Sequence, residues 1–297
     1  MNGEIGIVVV TYNRLALLQE VIESLRTQTY TNYQIVVVNN GSTDETPNWL
    51  AGQKDVLTIS QANLGGAGGF YTGMKYVAEN DFKYCWIMDD DVICKPNALE
   101  ELVRAYNVKP NIGFVCSRVS GIEGQPMNTP RVDQRSRNGS YGGYYDLIEY
   151  QMIKVQMATF VSVLLSCEII RQEGLPYKEF FIWGDDSEYT SRISSKFDCY
   201  LACKSQVLHK RTIQKVISFE NEMDEKRLNM FFYYYRNKWY NENKGCSYQY
   251  RLLFVYKKCK EAAKMYISGY RKHASILFKA AKAFLSFNPV LKYPRSK

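Results

Sequence analysis

The segment from residue 5 to residue 91 alternates apolar runs with stretches of helical periodicity, and this alternation constrains the fold more than any other feature of the chain. Apolar residues between the runs recur at the three- and four-residue spacing of a helix. The runs themselves are rich in β-branched residues and predict buried strands at 5–10 and 33–40, with a third strand at 56–60 and a fourth at 84–91. The pattern predicts an α/β fold with a doubly wound, mostly parallel central sheet.

Polar or glycine-rich segments follow each predicted strand. They are TYN, NNGS, NLGGAGG and DDD, in chain order. Because open parallel sheets bind ligands beyond the carboxyl ends of their strands, we expect these four segments to meet at one site. Ser42 and Glu45 form an S-x-x-E pattern after the second strand, which predicts a capping box at the start of the next helix.

Three consecutive carboxylates, Asp89, Asp90 and Asp91, end the fourth predicted strand. Like charges this close raise each other's pKa unless a cation or a set of donors separates them. On an extended segment Asp89 and Asp91 point to the same side, where they would suit Mg²⁺ or Mn²⁺. The alternative is a polar cap for the helix predicted over 94–106. The residues alone leave both interpretations open.

The glycine-rich stretch NLGGAGGF, residues 63–70, lacks the G-x-G-x-x-G spacing of a dinucleotide-binding turn, and it follows the third strand rather than the first. Glycines at a strand end let backbone N–H groups approach a phosphate or a sugar closely. The alternative is close packing of a helix on the sheet, which would account for two of the four glycines.

A second acidic cluster contains Asp185, Asp186 and Glu188, beside Trp183. Paired acids on one segment often divide catalytic roles, with one serving as the base. The alternative is a helix N-terminus whose acids suit the helix dipole. His209 follows a β-like run and is either structural or a further ligand of a Mn²⁺ site.

Charge is divided unevenly along the chain. Residues 204–297 contain 21 Lys and Arg against 6 Asp and Glu, whereas residues 1–203 are net negative. Two or three helices are predicted after His209, with lysines on one face and Leu, Phe, Tyr and Ile on the other. Such helices suit an anionic membrane surface. The alternative is a helical cap that completes the catalytic domain.

The remaining features concern mobility and location. Residues 117–150 are rich in Gly, Ser, Asn and Arg and predict a long, partly mobile functional loop. No apolar run reaches the length of a transmembrane helix, and the N-terminal stretch lacks the basic start of a signal peptide. The eight cysteines show no zinc-site or disulfide spacing, so we expect a cytoplasmic protein.

Taken in order, VVVTYNR, VVVNNGSTDET, an N-x-G-x-x-G segment, a D-x-D, a D-D-x-E and the later His resemble the inverting family 2 glycosyltransferases with the GT-A fold. The resemblance extends over residues 5–211. NLGGAGGF, MDDDV and FIWGDDSEY are most similar to segments of bacterial galactofuranosyltransferases, and next to those of the rhamnosyltransferases of polysaccharide assembly.

The resemblance implies a role for each matching residue. Asp89, Asp91 and His209 would hold Mn²⁺ or Mg²⁺. Asp186 would be the general base, with Asp185 and Glu188 beside it. Trp183 and Glu188 would contact the acceptor. The nucleotide-sugar would be held by Thr11, Asn13, Arg14, Asn40, Asn63, Gly65, Gly66, Asp89 and Asp90. Asn40 stands where the family often has an Asp that contacts the base.

The implied protein has a GT-A catalytic domain at 1–214 and a helical basic region at 215–297. It would transfer galactofuranose from UDP-galactofuranose to a glycan or a polyprenyl-linked acceptor in cell-surface polysaccharide synthesis, as a peripheral protein on the inner face of the cell membrane. A rhamnosyltransferase using dTDP-rhamnose is the alternative within the family. A nucleotidyltransferase and a non-catalytic membrane-binding module are alternatives of other classes. No nucleic-acid partner is expected.

Overall fold

The computed structural model describes residues 3–135, 142–211 and 218–295. Its first part alternates strands and helices in the predicted order: β1 (Ile5–Thr11), α1 (Leu15–Arg26), β2 (Tyr33–Asn39), α2 (Thr46–Ala51), β3 (Val56–Ser60), α3 (Gly65–Glu79) and β4 (Tyr84–Asp89). These four strands pair in parallel in the order β3-β2-β1-β4. The predicted strand–helix alternation is therefore confirmed.

The second part of the sheet is mixed in direction. Its elements are β5 (Val92–Cys94), α4 (Ala98–Tyr106), β6 (Ile112–Ser120), β7 (Arg131–Val132), β8 (Met152–Met157), β9 (Val163–Ser166), α5 (Cys167–Glu173), α6 (Asp185–Ser194) and β10 (Asp198–His209). Strand β9 lies antiparallel between β4 and β6, while β10 is parallel to β6 and antiparallel to β5 and β8. The α/β fold class is confirmed, and its parallel strands are concentrated in the first part.

Strand β1 is buried along its whole length, with apolar layers on both of its faces. Helix α3 lies close to it because two helical glycines face the strand. A Cβ at Gly69 would come within 2.3 Å of Val10 Cγ1, and one at Gly73 within 2.3 Å of Val8 Cγ1. These glycines therefore set the distance between the helix and the sheet.

The capping box predicted at Ser42 and Glu45 is wrong. Helix α2 begins at Thr46 and has no side-chain cap hydrogen bond. Ser42 Oγ instead accepts a hydrogen bond from the backbone N–H of Asn13 at 3.0 Å. Ser42 therefore connects the loops that follow β1 and β2 rather than starting a helix.

The acidic triplet does not cap a helix. Strand β4 ends at Asp89. A turn at Asp90 and Asp91 follows, and it leads directly into β5. Helix α4 starts only at Ala98. The expected extended backbone through Asp91 is also wrong, since the chain turns there to enter β5.

The loop predicted over 117–150 is partly ordered into strands. Strand β6 continues through Ser120, and β7 pairs with β8. Residues 136–141 lie outside the described residues, so the prediction of mobility stays untested there.

The chain divides into two compact units. The first contains residues 3–178, the described part of 186–212, and 291–295; the second contains Glu179–Asp185 and the described part of 213–290. The second unit has three long helices, α7 (Glu225–Glu242), α8 (Tyr248–Ile267) and α9 (Arg271–Ser286), in agreement with the two or three predicted. None of the described helices has both the length and the apolar character needed to cross a bilayer.

Candidate active site and metal centre

The pairing of β1 with β4 brings the end of β1 to the acidic triplet. Val10 lies opposite Asp89 in the parallel register. Just beyond this pair, Thr11 Oγ1 donates to Asp90 Oδ2 at 2.8 Å. Arg14 Nη1 donates to Asp90 Oδ1 at 3.1 Å and to Asp91 Oδ2 at 3.0 Å. The sheet register thus places a hydroxyl and a guanidinium on the carboxylates, as expected for strand ends that share one edge.

A second pairing brings His209 to the same place. It lies opposite Val92 in the antiparallel register of β10 and β5, and Lys210 N donates to Asp91 O at 2.7 Å. His209 Nε2 lies 3.0 Å from Asp91 Oδ1. One ligand atom each from Asp89, Asp91 and His209 can be chosen so that all lie within 4.8 Å of one another. The three predicted metal ligands therefore meet.

The hydrogen bonding of His209 fits a cation between it and Asp91. Its Nδ1 lies 2.9 Å from the amide oxygen of Asn128, which can only accept, so Nδ1 carries the proton. In the neutral ring the lone pair of Nε2 then faces Asp91 Oδ1. That oxygen is buried and accepts no hydrogen bond of normal geometry from the residues described. Two lone-pair atoms this close require a proton or a cation between them.

The pKa values of the triplet point to the same chemistry. Burial raises the pKa of Asp89, and the charge of Asp91 raises it further. Burial also opposes ionisation of Asp91, but Arg14 and the protonated form of His209 outweigh it and lower the pKa of Asp91 below its ordinary value. A bound cation would favour the ionised form of both carboxylates. The Asp-Asp-His group can therefore bind a divalent metal ion.

Asn13 fixes the end of β1 against the loop after β2. It adopts a left-handed backbone conformation, with φ of 53°. Its Oδ1 accepts from the backbone N–H groups of Thr43 at 2.7 Å and Asp44 at 3.3 Å. Asn13 therefore shapes the strand-end surface on which we expect the nucleoside.

Asn40 lies beneath the glycine-rich segment and is buried. Its Oδ1 accepts from Gln61 Nε2 and Leu64 N, and its Nδ2 donates to Gly65 O and Asn63 Oδ1. These four hydrogen bonds occupy both amide protons and both lone pairs of the oxygen. A contact between Asn40 and a nucleotide base would have to replace one of them, so the geometry gives Asn40 a role in positioning residues 61–65.

The four glycines of NLGGAGGF differ in their surroundings and in their backbone conformation. A Cβ at Gly68 or Gly69 would come within 2.4 Å of a neighbouring side chain. Gly65 has a φ of 72°, and its N–H donates to Asn63 Oδ1 at 2.9 Å. A Cβ at Gly66 would meet nothing within 4 Å. Packing accounts for two of the four glycines, and Gly66 opens onto space at the start of α3.

The second acidic cluster forms the first turn of α6. Asp186 is half-buried, and its Oδ1 accepts from Ser187 N at 2.6 Å. Asp185 and Glu188 are both buried. Glu188 Oε1 accepts from Arg192 Nε at 3.0 Å, one helical turn away. This ion pair ties Glu188 to its own helix, and it gives Glu188 a structural contact in addition to the catalytic and acceptor roles that we predicted.

No sequence motif points to Asn128. It lies in the loop after β6, outside every motif, in a left-handed conformation with φ of 46°. Only the structure shows that it holds the ring of His209.

Comparison with known sequences identifies the family of this chain. The chain matches the family described as "Glycosyl transferase family 2" over residues 6–173, which is more than half of its length. The chain belongs to glycosyl transferase family 2. The predicted family is thereby confirmed.

Two curated relatives and one solved structure extend this result. Galactofuranosyltransferase GlfT1 of Mycobacterium tuberculosis is 35% identical over 204 residues, which are 65% of this chain and 65% of that protein. Glycosyltransferase GlyG of Streptococcus pneumoniae is 33% identical over 113 residues, 37% of each chain. This chain therefore spans less than two thirds of the length of either relative.

The solved structure is TarS 1–349 of S. aureus, with a TM-score of 0.55 and 10% identity over 96% of this chain and 92% of that one. At this identity the likeness shows a shared fold. Together with the family match, it confirms the predicted GT-A fold.

Proposed function

We propose that the protein is a metal-dependent, inverting glycosyltransferase that moves galactofuranose from UDP-galactofuranose to a glycan or glycolipid acceptor in cell-surface polysaccharide synthesis. The observation that carries the proposal is the meeting of Asp89, Asp91 and His209 at the carboxyl end of the parallel strands in a family 2 chain. The identity with GlfT1 supports galactofuranose as the sugar.

The donor would bind at this strand edge. Asp89, Asp91 and His209 would hold Mn²⁺ or Mg²⁺, which when bound neutralises negative charge on a departing diphosphate. Arg14 adds a permanent positive charge whose guanidinium is half exposed beside the carboxylates. The open surface at Gly66 lets a bulky ligand approach the backbone at the start of α3.

Asp186 would accept the proton of the attacking acceptor hydroxyl. Its place in the first turn of α6 favours the ionised carboxylate, which is the form a base needs. Attack from the face opposite the nucleotide inverts the anomeric centre, and one base suffices for this. A retaining displacement would need a protein nucleophile at the anomeric carbon as well. Trp183 would offer a flat apolar surface to the acceptor sugar.

A donor assay tests the proposal. The purified protein is incubated with UDP-galactofuranose, UDP-galactopyranose or dTDP-rhamnose, each with Mn²⁺ and with EDTA, and hydrolysis and transfer are recorded. We expect turnover of UDP-galactofuranose that EDTA abolishes. Preference for dTDP-rhamnose would replace the galactofuranosyl proposal by the rhamnosyl alternative. Turnover that persists fully in EDTA would contradict metal dependence.

We also propose that the helical unit contacts an anionic membrane surface. The structure divides the apolar residues of this region: Ile276, Leu277 and Phe284 are buried in the unit. Exposed large apolar side chains on the same helices are Leu252, Leu253, Tyr256, Tyr266, Ile267 and Phe278. In α8 they alternate with the exposed lysines Lys257, Lys260 and Lys264. An apolar face interleaved with lysines suits the headgroup region of anionic lipid.

Vesicle sedimentation tests this contact. Each lysine near an anionic surface adds about 1 kcal/mol, screened by salt. We therefore expect binding to anionic vesicles at low salt and release at high salt, weakened by the double change Lys257→Gln and Lys264→Gln. The control with the same net charge is Lys54→Gln with Lys95→Gln, both exposed in the other unit. Protein that stays in the supernatant, or equal loss in both variants, would contradict the proposal.

A further inference from the structure

The segment that precedes α6 has an unusual backbone. Phe181 and Trp183 have φ values of 65° and 61°, and Gly184 has a φ of 90°. Bulky side chains rarely adopt left-handed conformations, because the Cβ then crowds the following carbonyl. Such a backbone persists only where its surroundings enforce it, and it is commonly found at functional sites.

Asn237 of α7 helps to hold this backbone in place through hydrogen bonds. Its side chain is fully buried, and its Nδ2 lies 2.9 Å from Phe180 O, 3.0 Å from Ile182 O and 2.7 Å from Trp183 O. Two amide protons are therefore shared among three carbonyl oxygens of the strained segment. Four residues later on the same face, Asn241 Nδ2 donates to Gly184 O at 2.9 Å.

Arg236 also binds the backbone of this segment. Its Nη2 donates to Glu179 O at 2.7 Å and to Phe180 O at 3.2 Å, and its Nε donates to Asn237 Oδ1 at 3.0 Å. The guanidinium is buried over the ring of Phe287, and burial lowers its pKa to about 10. Among the described residues it forms no ion pair with a carboxylate within 4 Å. A charge buried on backbone carbonyls has a high desolvation cost, which indicates that holding this segment matters to the protein.

We propose that Arg236 and Asn237 are positioning residues for the carboxylates that directly follow the strained segment, Asp185 and Asp186. Side chains of α7 bind five of the six carbonyl oxygens from Glu179 to Gly184. They thereby hold the backbone of the segment that directly precedes the first carboxylates of α6. The inference rests on the proposed role of Asp186 as the base.

The test compares two buried asparagines of α7. Asn243 is also buried, but its Nδ2 donates to Trp239 O of its own helix at 2.8 Å. Asn237→Ala and Asn243→Ala therefore each remove one buried side-chain amide from the same helix. We expect similar losses of thermal stability, but a kcat about 10²-fold lower in Asn237→Ala alone, since a misplaced catalytic group has an effect of that size. Its KM for the sugar donor should stay within a few-fold of the wild type.

A second pair keeps the test decisive if Asn237→Ala does not fold. Arg236→Lys retains a charge and donors, whereas Arg236→Met retains only the length of the side chain. We expect Arg236→Lys to recover much of the kcat that Arg236→Met loses, at equal donor KM. Equal kcat in all four variants, or a loss confined to donor KM, would overturn the inference.

Asp186→Asn serves as the benchmark for the proposed function. An active Asp186→Asn protein would refute the assigned base, and with it the premise of this inference. An inactive Asp186→Asn protein beside a fully active Asn237→Ala protein would refute the positioning role alone.

Discussion

The two acidic clusters reach their places by different means. Asp89–Asp91 are fixed by the main-chain pairing of β4 with β1 and of β5 with β10. The segment before Asp185 and Asp186 is fixed by side chains of α7 on its carbonyl oxygens. A site built on sheet register follows from the order of the strands. A site held by side chains from a helix later in the chain depends on individual residues, so single substitutions should test it more selectively.

Their neighbours differ as well. In the first cluster Asp89 and Asp91 lie close together, and His209 Nε2 lies 3.0 Å from Asp91 Oδ1, an arrangement that favours a bound cation. In the second, Glu188 is neutralised by Arg192 within the helix. Under the proposed function, the first cluster would neutralise charge on the donor and the second would take a proton from the acceptor.

The largest expected effect is that of Asp91→Asn. This change removes a proposed metal ligand and the partner of both His209 and Arg14. Loss of several kcal/mol of charge stabilisation corresponds to a fall of about 10³-fold or more in turnover. The measurement is the transfer rate over a range of Mn²⁺ concentrations, with Asp55→Asn, a surface ion-pair residue, as the control. Normal turnover at ordinary Mn²⁺ would remove Asp91 from the metal site.

Asp186→Asn should affect chemistry without affecting donor binding. The change is nearly isosteric and removes the base, so we expect kcat to fall by roughly 10² to 10⁴ while donor affinity stays within a few-fold. Steady-state kinetics measured beside Asp185→Asn separates the two acids. If Asp185→Asn were the inactive protein and Asp186→Asn the active one, the base would have to be reassigned to Asp185.

Asn128→Ala probes the residue that contacts His209, the proposed histidine ligand of the metal. Removing its amide oxygen frees the ring of His209, and loss of such an outer partner usually weakens metal binding by about 10- to 100-fold. A Mn²⁺ titration measures it. Asn111→Ala is the matched control, because Asn111 also has a left-handed backbone and is exposed at a turn. An equal effect of both changes would show that backbone strain, not the contact with His209, is responsible.

Gly69→Ala and Gly66→Ala separate packing from ligand access in the glycine-rich segment. At Gly69 the new Cβ would overlap Val10, an overpacking cost of about 1 to 3 kcal/mol, partly offset by about 1 kcal/mol of better helix propensity. A net loss of about 1 to 2 kcal/mol should appear as a lower midpoint in urea unfolding. Gly66→Ala lies in the same helix and meets no neighbour, so that midpoint should not fall. A destabilised Gly66→Ala protein would contradict the geometry described for this turn.

The parallel part of the sheet was predictable from sequence because its strands are β-branched or apolar runs, and the first three of them are each followed by a helix. The mixed part was not, since it lacks the regular strand–helix alternation from which a parallel direction can be inferred. The antiparallel insertion of β9 between β4 and β6 depends on pairing between distant segments. Ser42 shows the same limit on a smaller scale, because its partner Asn13 comes from another loop.

The residues of the candidate site likewise divide into those that the sequence predicts and those that it does not. Asp89, Asp91 and His209 were predicted as one group through the resemblance to a family, and the structure brings them together. Asn128 and Asn237 could not be predicted, because each acts through a contact that no local spacing encodes. The contact of Asn40 with a nucleotide base stays a prediction, and its four hydrogen bonds to residues 61–65 could not be predicted either.

One measurement tests most directly whether the first cluster binds the donor nucleotide while the second does not. UDP is titrated calorimetrically, in the presence of Mn²⁺, into the wild type, Asp91→Asn and Asp186→Asn. We predict that Asp186→Asn binds UDP within a few-fold of the wild type and that Asp91→Asn shows no Mn²⁺-dependent binding. Wild-type binding by Asp91→Asn, or loss of binding in Asp186→Asn, would contradict the assignment of the first cluster to the donor and of the second to the acceptor.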